Sequence, residues 1–194
     1  MAVTPSTMQA LGMPAPYFSL PDVVTGKTIR IDDFRQRKAL VVMFLCQHCP
    51  YVKHIEHEIA KMARDYQRGD TAFIAISSND ADHYPDDAPA KLAEMAERLG
   101  FYFPFCYDET QEIAKLYGAA CTPDFFLYDS AQRLVYRGQF DPSRPGNAEP
   151  VTGRDLRSAL EAVLSGETPA AEQRPSIGCN IKWKPGKEPL YFRK

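Results

Sequence analysis

Ala39-Leu-Val-Val-Met-Phe-Leu45 runs straight into Cys46-Gln-His48-Cys49-Pro50-Tyr-Val-Lys53. The first seven residues form a continuous apolar run, short enough for a strand buried on both faces. Beyond Pro50, the residues Val52, Ile55, Ile59, Met62, Ala63 and Tyr66 recur at three- and four-residue spacing, which predicts an amphipathic helix. A Cys-x-x-Cys pair at a strand-to-helix junction is the context that gives the motif chemistry. The helix N-terminus offers unpaired N–H groups and a positive dipole end. Both favour the thiolate, which is the reactive form of cysteine. Pro50 fits the first helical position, which makes Cys49 the N-cap and favours it as the low-pKa sulfur. Cys46 sits about one turn earlier, and its claim to be the attacking sulfur stays open. His48, between the two, is the side-chain type whose charge changes near neutral pH and would stabilise either thiolate.

Two other uses of the pair fit the sequence less well. Inert structural thiols rarely sit as a pair at a helix start. A zinc half-site with His54 and His57 fails on helix geometry. His57 lies about 12 Å along the axis from Cys49, and His54 about 140° around it. The same arithmetic puts His54, His57, Glu58, Lys61 and Arg64 opposite the apolar stripe, on a solvated face.

Outward from this stretch, strand and helix signals alternate. Thr71–Ser77 reads as a second buried strand. Leu92, Met95, Ala96 and Leu99 mark a helix closed by Gly100, and Glu112–Tyr117 a short helix closed by Gly118. Phe125–Tyr128 and Leu134–Tyr136 read as strands joined by a turn at Asp129-Ser130. Thr152-x-x-Asp155 has the form of a capping box that opens a last helix with Leu156, Leu160, Val163 and Leu164. The pattern is that of an α/β sandwich with a mixed sheet. No internal repeat is visible. Prolines, 16 among 194 residues, gather towards both ends and predict extended, loop-rich flanks around the regular core. We divide the chain into a domain over residues 1–165 and a proline-rich tail over 166–194 packed on it.

Composition closes off several function classes. Hydrophobic residues at 44% and charged residues at 25% describe a globular chain rather than a disordered tail or a coiled coil. A net charge of −2 gives no reason to expect a nucleic-acid partner. No apolar run approaches the ~18 residues of a membrane span. No apolar segment precedes the first basic residue, Lys27, which argues against a secretory signal. The expected compartment is the cytoplasm, where thiols stay reduced. Five cysteines leave at least one unpaired within the chain.

The Cys46-Gln-His48-Cys49 quartet resembles the Cys-x-His-Cys pattern of disulfide isomerases and DsbA-type oxidants in the thioredoxin superfamily. Gly118, followed by Thr122-Pro123 and then the strand Phe125–Tyr128, is similar to that superfamily's proline loop. The resemblance implies a cis Pro123 facing the cysteines, with the Thr122 backbone binding a substrate's extended chain. The opener Gly12–Leu20, then Gly26–Ile31 and Asp33-Phe34, resembles the N-terminal hairpin of the AhpC/TSA (peroxiredoxin-like) branch, and the likeness runs to about residue 165. Within that branch the chain is most similar to the uncharacterised Cys-x-His-Cys-Pro subgroup, which ends in a segment like Pro175–Trp183. The implied fold is a thioredoxin-like three-layer α/β/α sandwich with a mixed central sheet, an N-terminal β-hairpin extension and a docked C-terminal tail.

The chain departs from its relatives at defined points. The Thr or Ser that peroxiredoxins carry three residues before the reactive cysteine is Cys46 here, and their proline is missing. Leu40 stands where thioredoxin has a buried Asp, so proton transfer would need another base, such as Glu56 or water. Sco-type copper chaperones need a distal His, yet all four histidines here lie at or before His83.

The expected function is thiol–disulfide oxidoreduction through Cys46 and Cys49, modulated by His48 and Pro50, with substrate on Thr122 and Pro123. It requires no organic cofactor and no metal. The partners are a protein or small-molecule disulfide or dithiol and a thiol electron donor. One alternative is a thiol peroxidase, with Cys49 attacking hydroperoxide and Cys46 resolving. The other is a Cu(I)- or Zn-binding thioredoxin-fold module. Cys121 and Cys179 are candidate auxiliary thiols, and Cys106 is expected to be a small core hydrophobe. Alternation along Cys179, Ile181 and Trp183 predicts that one face of the tail turns inward, with Asn180, Lys182 and Lys184 on the other. The tail's six Lys and Arg against three Glu are expected to be solvated. The 10 Tyr and 11 Phe leave room for a core or a homodimer contact.

Overall fold

The computed structural model describes residues 3–67 and 69–192. In chain order its elements are β1 (Val3–Pro5), β2 (Ser19–Pro21), β3 (Thr28–Arg30), β4 (Ala39–Phe44), α1 (Pro50–Asp65), β5 (Thr71–Ser77), α2 (Pro89–Leu99), β6 (Phe105–Tyr107), α3 (Glu112–Tyr117), β7 (Cys121–Thr122), β8 (Asp124–Asp129), β9 (Leu134–Gly138), α4 (Arg154–Leu164) and β10 (Ile177–Asn180).

Five strands form the central sheet in the order β6-β5-β4-β8-β9. β4 pairs in parallel with β5, and β5 with β6, while β8 runs antiparallel to both β4 and β9. The sheet is therefore mixed. β4 lies at its centre and every one of its residues is buried. That is why its sequence is apolar without alternation. Val41 and Met43 face a core shared with α1, α2 and α4. Leu40, Val42 and Phe44 face a second core with α3, the β2–β3 hairpin and the tail residues Ile181 and Trp183. The result is three layers, one of them completed by a hairpin and a tail rather than by helices alone. No described helix is long and apolar enough to cross a membrane.

A second, three-stranded sheet has the order β1-β10-β7. It ties the N-terminal strand and the tail to the loop that precedes β8. Gly178 on β10 passes so close to β7 that a Cβ there would lie 2.0 Å from the Thr122 carbonyl oxygen. Only glycine allows this approach.

Three local expectations are corrected. α4 starts at Arg154 with Gly153 rather than Thr152 as its N-cap, and the Thr152 hydroxyl accepts the Arg154 N–H at 3.3 Å from one residue further out. The backbone N–H groups of Thr152 and Gly153 instead donate to the Asp141 carboxylate at 2.7 and 2.6 Å, while Asp155 accepts from Gln139. A carboxylate from the preceding loop has displaced the local box. In the tail, Cys179, Ile181 and Trp183 are all buried, but strand geometry ends at Asn180 and they split between the two cores. Lys182 is buried rather than solvated. Its ammonium donates to the carbonyl and side-chain oxygens of Asn180.

Candidate active site

β4 delivers the chain to Cys46, and α1 begins at Pro50 with Cys49 as the N-cap in extended conformation. Both cysteines are buried, at 1% and 0% exposure. The Thr122–Pro123 peptide is cis, and Thr122 faces both sulfurs. Its hydroxyl lies 3.2 Å from Cys46 Sγ, and its carbonyl oxygen 3.2 Å from Cys49 Sγ.

The two sulfurs stand in opposite electrostatic settings. The neighbouring thiol of Cys179, then that of Cys46, favour negative charge on Cys49 Sγ, with smaller contributions from Thr122 and Val52. Together these hold its thiol far below the usual range, although burial acts the other way. The Thr122 carbonyl also opposes ionisation, because it accepts from the thiol form. The balance favours the thiolate at Cys49 over Cys46. Cys46 is raised well above its usual range, first by burial, then by donating to Cys49 and by the nearby charges of Asp87 and Cys49. Cys179 is raised as well, first because it donates to Cys49 and then by burial.

His48 lies between the cysteines and is held by a residue the sequence did not point to. The Asp87 carboxylate accepts the backbone N–H groups of Gln47 and His48 on Oδ1, at 2.8 and 3.1 Å. On Oδ2 it meets His48 Nδ1 at 2.5 Å and Asn79 Nδ2 at 2.7 Å. Burial pushes this carboxyl up, but the hydrogen bonds from His48 and Asn79 overcome it and hold it below the usual range. An ionised carboxylate only accepts, so Nδ1 carries the proton and Nε2 is the ring's remaining valence. Nε2 is buried without a partner. The ring stacks on Tyr84, with centroids 5.8 Å apart. Asp87 sits in the turn that precedes α2. Nothing in its local sequence signals His48, because the contact is tertiary.

Cys46 Sγ, a ring nitrogen of His48 and a carboxylate oxygen of Asp87 lie within 4.8 Å of one another, a spacing that suits a metal ion. Four donors already occupy the four lone-pair positions of Asp87, so it orients His48 and has none left for a metal. The thiolates and His48 Nε2 are what remain for a soft ion.

Other expected residues fall as follows. Pro50 is the first helical residue. Thr122 does not present an open backbone edge: Cys179 of β10 pairs with it, so the chain's own tail occupies the place expected of a substrate chain. Cys121 is fully buried, and burial, Asp124 and Cys49 keep it a thiol. Burial likewise pushes the Cys106 thiol up, to about 12. Glu56 is unsuited as a base for the pair, because both its oxygens accept from Arg98, at 2.8 and 3.2 Å. His57 is exposed, whereas His54 meets the Ser143 hydroxyl at 2.7 Å and Glu58 pairs with Arg157 at 2.8 Å. The loop after β9 and helix α4 cover that flank of α1, which helix periodicity alone does not reveal.

Asp124, next to Pro123, is a second group the sequence did not single out. It is fully buried. The Ser6 hydroxyl donates to Oδ1 at 2.6 Å, and Oδ2 has no partner. Burial raises its pKa to about 7, against the Ser6 bond and the N–H groups of Ala120 and Phe125. The folded value thus exceeds the unfolded one of about 3.9. Between those values the native state binds more protons than the unfolded state, so stability falls as pH rises and levels off above about pH 7. The expected slope from this group is about 1.4 kcal/mol per pH unit. Urea unfolding between pH 5 and 8 should show this loss in the parent and a flatter profile in Asp124→Asn. Parallel profiles would refute the assignment.

A mixed sheet with a cysteine pair opening its first long helix, faced by a proline loop, defines a thioredoxin-like protein. The chain belongs to the AhpC/TSA family, whose profile matches residues 11–137. The solved structure of an uncharacterized conserved protein from Geobacillus kaustophilus is 51% identical and superposes with a TM-score of 0.93 over 96% of this chain and 98% of that one. A hypothetical protein from Sinorhizobium meliloti 1021 is 47% identical, with a TM-score of 0.92 over 94% of this chain and 100% of the other. The thiol-disulfide oxidoreductase ResA of Geobacillus thermodenitrificans is 24% identical over 162 residues, covering 82% of each chain.

Proposed function

We propose that this protein is a thiol–disulfide oxidoreductase that cycles Cys46 and Cys49 between dithiol and disulfide. The observation that carries the reading is the Cys49 sulfur at the N-cap of α1, held as a thiolate by hydrogen bonds from two neighbouring thiols. The similarity to an oxidoreductase of that name supports the same class. The Cys49 thiolate attacks one sulfur of a substrate disulfide. A Cys49–substrate bond forms, and the other substrate sulfur leaves as a thiolate. Cys46 then attacks Cys49 Sγ, the Cys46–Cys49 bond forms, and the second substrate thiolate departs. The Cys46 proton is given up as the Cys46–Cys49 bond forms and ends on the departing sulfur. The substrate gains two electrons and the one proton that Cys46 held, the first thiolate to leave takes its proton from water, and an external dithiol returns the enzyme to its reduced form. A reducing cytoplasm suits a chain whose five cysteines are all thiols.

The test is equilibration in glutathione redox buffers, followed by alkylation and mass spectrometry. A two-electron transition with Cys46 bonded to Cys49 is expected. Because the reduced state is stabilised by the Cys49 thiolate, its potential should lie above the ~−270 mV of thioredoxin. If no Cys46–Cys49 disulfide forms, the reading fails. If a Cys46→Ser chain instead accumulates a sulfenic acid with hydroperoxide and is inert to disulfides, the function is peroxidatic.

A further inference from the structure

β10 brings a third thiol to the reactive pair. Its third residue, Cys179, is in register with Thr122, the residue that faces both Cys46 and Cys49. Cys179 belongs to the same buried core as those two and donates to the Cys49 sulfur. The strand is fixed from both sides. Its Val3–Pro5 neighbour β1 pairs along one edge, the Ser176 hydroxyl donates to the Pro123 carbonyl at 2.6 Å, and the Ile181 N–H donates to the Ala120 carbonyl at 3.1 Å. Cys49 is therefore flanked by Cys46 from its own motif and by Cys179 from the tail. Strand register thus sets Cys179 opposite the residue whose carbonyl oxygen lies 3.2 Å from Cys49 Sγ, and a disulfide needs the two sulfurs to close to ~2.05 Å.

We propose that Cys179 is a third redox-active cysteine, forming a Cys49–Cys179 disulfide that exchanges with Cys46–Cys49. The proposal rests on the oxidoreductase reading, because a substrate disulfide supplies the oxidation. In the exchange step, the Cys179 sulfur attacks Cys49 Sγ. The Cys46–Cys49 bond breaks as the Cys49–Cys179 bond forms. Cys46 leaves as a thiolate and takes up the proton that Cys179 gives up. No net oxidation or reduction occurs; two electrons' worth of oxidation moves from one pair to the other. The same attack on a Cys49–substrate mixed disulfide releases the substrate thiol directly. The new bond clamps β10 onto the Thr122 edge, so the oxidised protein holds its tail covalently across the site.

The test uses the full chain and oxidised glutathione as the probe. Wild type, Cys46→Ser and Cys46→Ser/Cys179→Ser are oxidised, quenched with an alkylating reagent, digested without reduction and mapped by mass spectrometry. Thermal melts establish that each is folded. At half-oxidation, wild type should yield both Cys46–Cys49 and Cys49–Cys179 peptides. In Cys46→Ser, the glutathione adduct on Cys49 should convert to Cys49–Cys179 at least 10-fold faster than it is lost from the double variant. If the adduct is equally long-lived in both, and wild type shows Cys46–Cys49 alone, the third-cysteine proposal is overturned while the oxidoreductase reading stands. If Cys49 forms neither adduct nor disulfide in any chain, both are overturned. Should a variant not fold, the wild-type map alone decides, through the presence or absence of the Cys49–Cys179 peptide.

Discussion

Cys49→Ser is expected to lower turnover with a disulfide substrate by at least about 10³-fold, equivalent to about 4 kcal/mol of transition-state stabilisation. The site concentrates its donors on one atom. The thiols of Cys179 and Cys46, the Thr122 hydroxyl and the Val52 N–H all favour negative charge on Cys49 Sγ. A serine hydroxyl stays protonated there, and its oxygen cannot enter thiol–disulfide exchange. The fold should survive, because a hydroxyl can donate to the Thr122 carbonyl that Cys49 Sγ faces at 3.2 Å. Steady-state kinetics alongside a circular dichroism melt separates the two effects. Retention of more than a tenth of the activity with an unchanged fold would move the attacking role to Cys46. The Cys46→Ser/Cys179→Ser chain makes the complementary measurement: it should trap substrate on Cys49 rather than abolish attack.

The largest stability effect is expected at Gly178. An alanine Cβ there would sit 2.0 Å from the Thr122 carbonyl oxygen and 2.7 Å from its carbon, both backbone atoms of the strand that opens the proline loop. Neither can yield as a flexible side chain would, so β10 must lift off β7. Forcing atoms into a packed site costs about 1–3 kcal/mol, and the broken pairing with Thr122 puts Gly178→Ala near the upper end. For a chain of this size, about 3 kcal/mol is a melting shift of roughly 6–12 °C. The same displacement withdraws Cys179, the main donor to Cys49. The pH at which Cys49 becomes reactive to an alkylating agent should therefore rise. A melting point and an alkylation profile both matching wild type would show that the tail strand neither stabilises the site nor tunes it.

These effects divide what is written along the chain from what folding adds. The buried strand β4, the apolar stripe of α1 and the N-cap position of Cys49 before Pro50 were legible, because each depends on neighbours within a turn or a pleat. So was the class of fold, since runs buried on both faces alternating with amphipathic helices have few packing solutions. Spacing failed where a distant group replaced a local one. The Asp141 carboxylate took the Thr152 N–H that Asp155 was expected to accept, and Arg98 consumed Glu56.

The chemistry of the site depends more heavily on such distant contacts. His48 was visible as a residue between two cysteines. Its tautomer is set by Asp87, which reaches it only because the turn before α2 packs against the start of α1. Asp124 follows Pro123 in plain view, yet only complete burial lifts its pKa to about 7. Cys179 shows an alternating pattern that turns it inward, but nothing local tells it which sulfur to meet. Sequence by itself determined the layers, the reactive pair and the helix end that favours a thiolate. Tertiary structure decided which sulfur the surroundings favour as the thiolate, because hydrogen bonds and desolvation act through space, and strand register brings the far end of the chain beside Thr122.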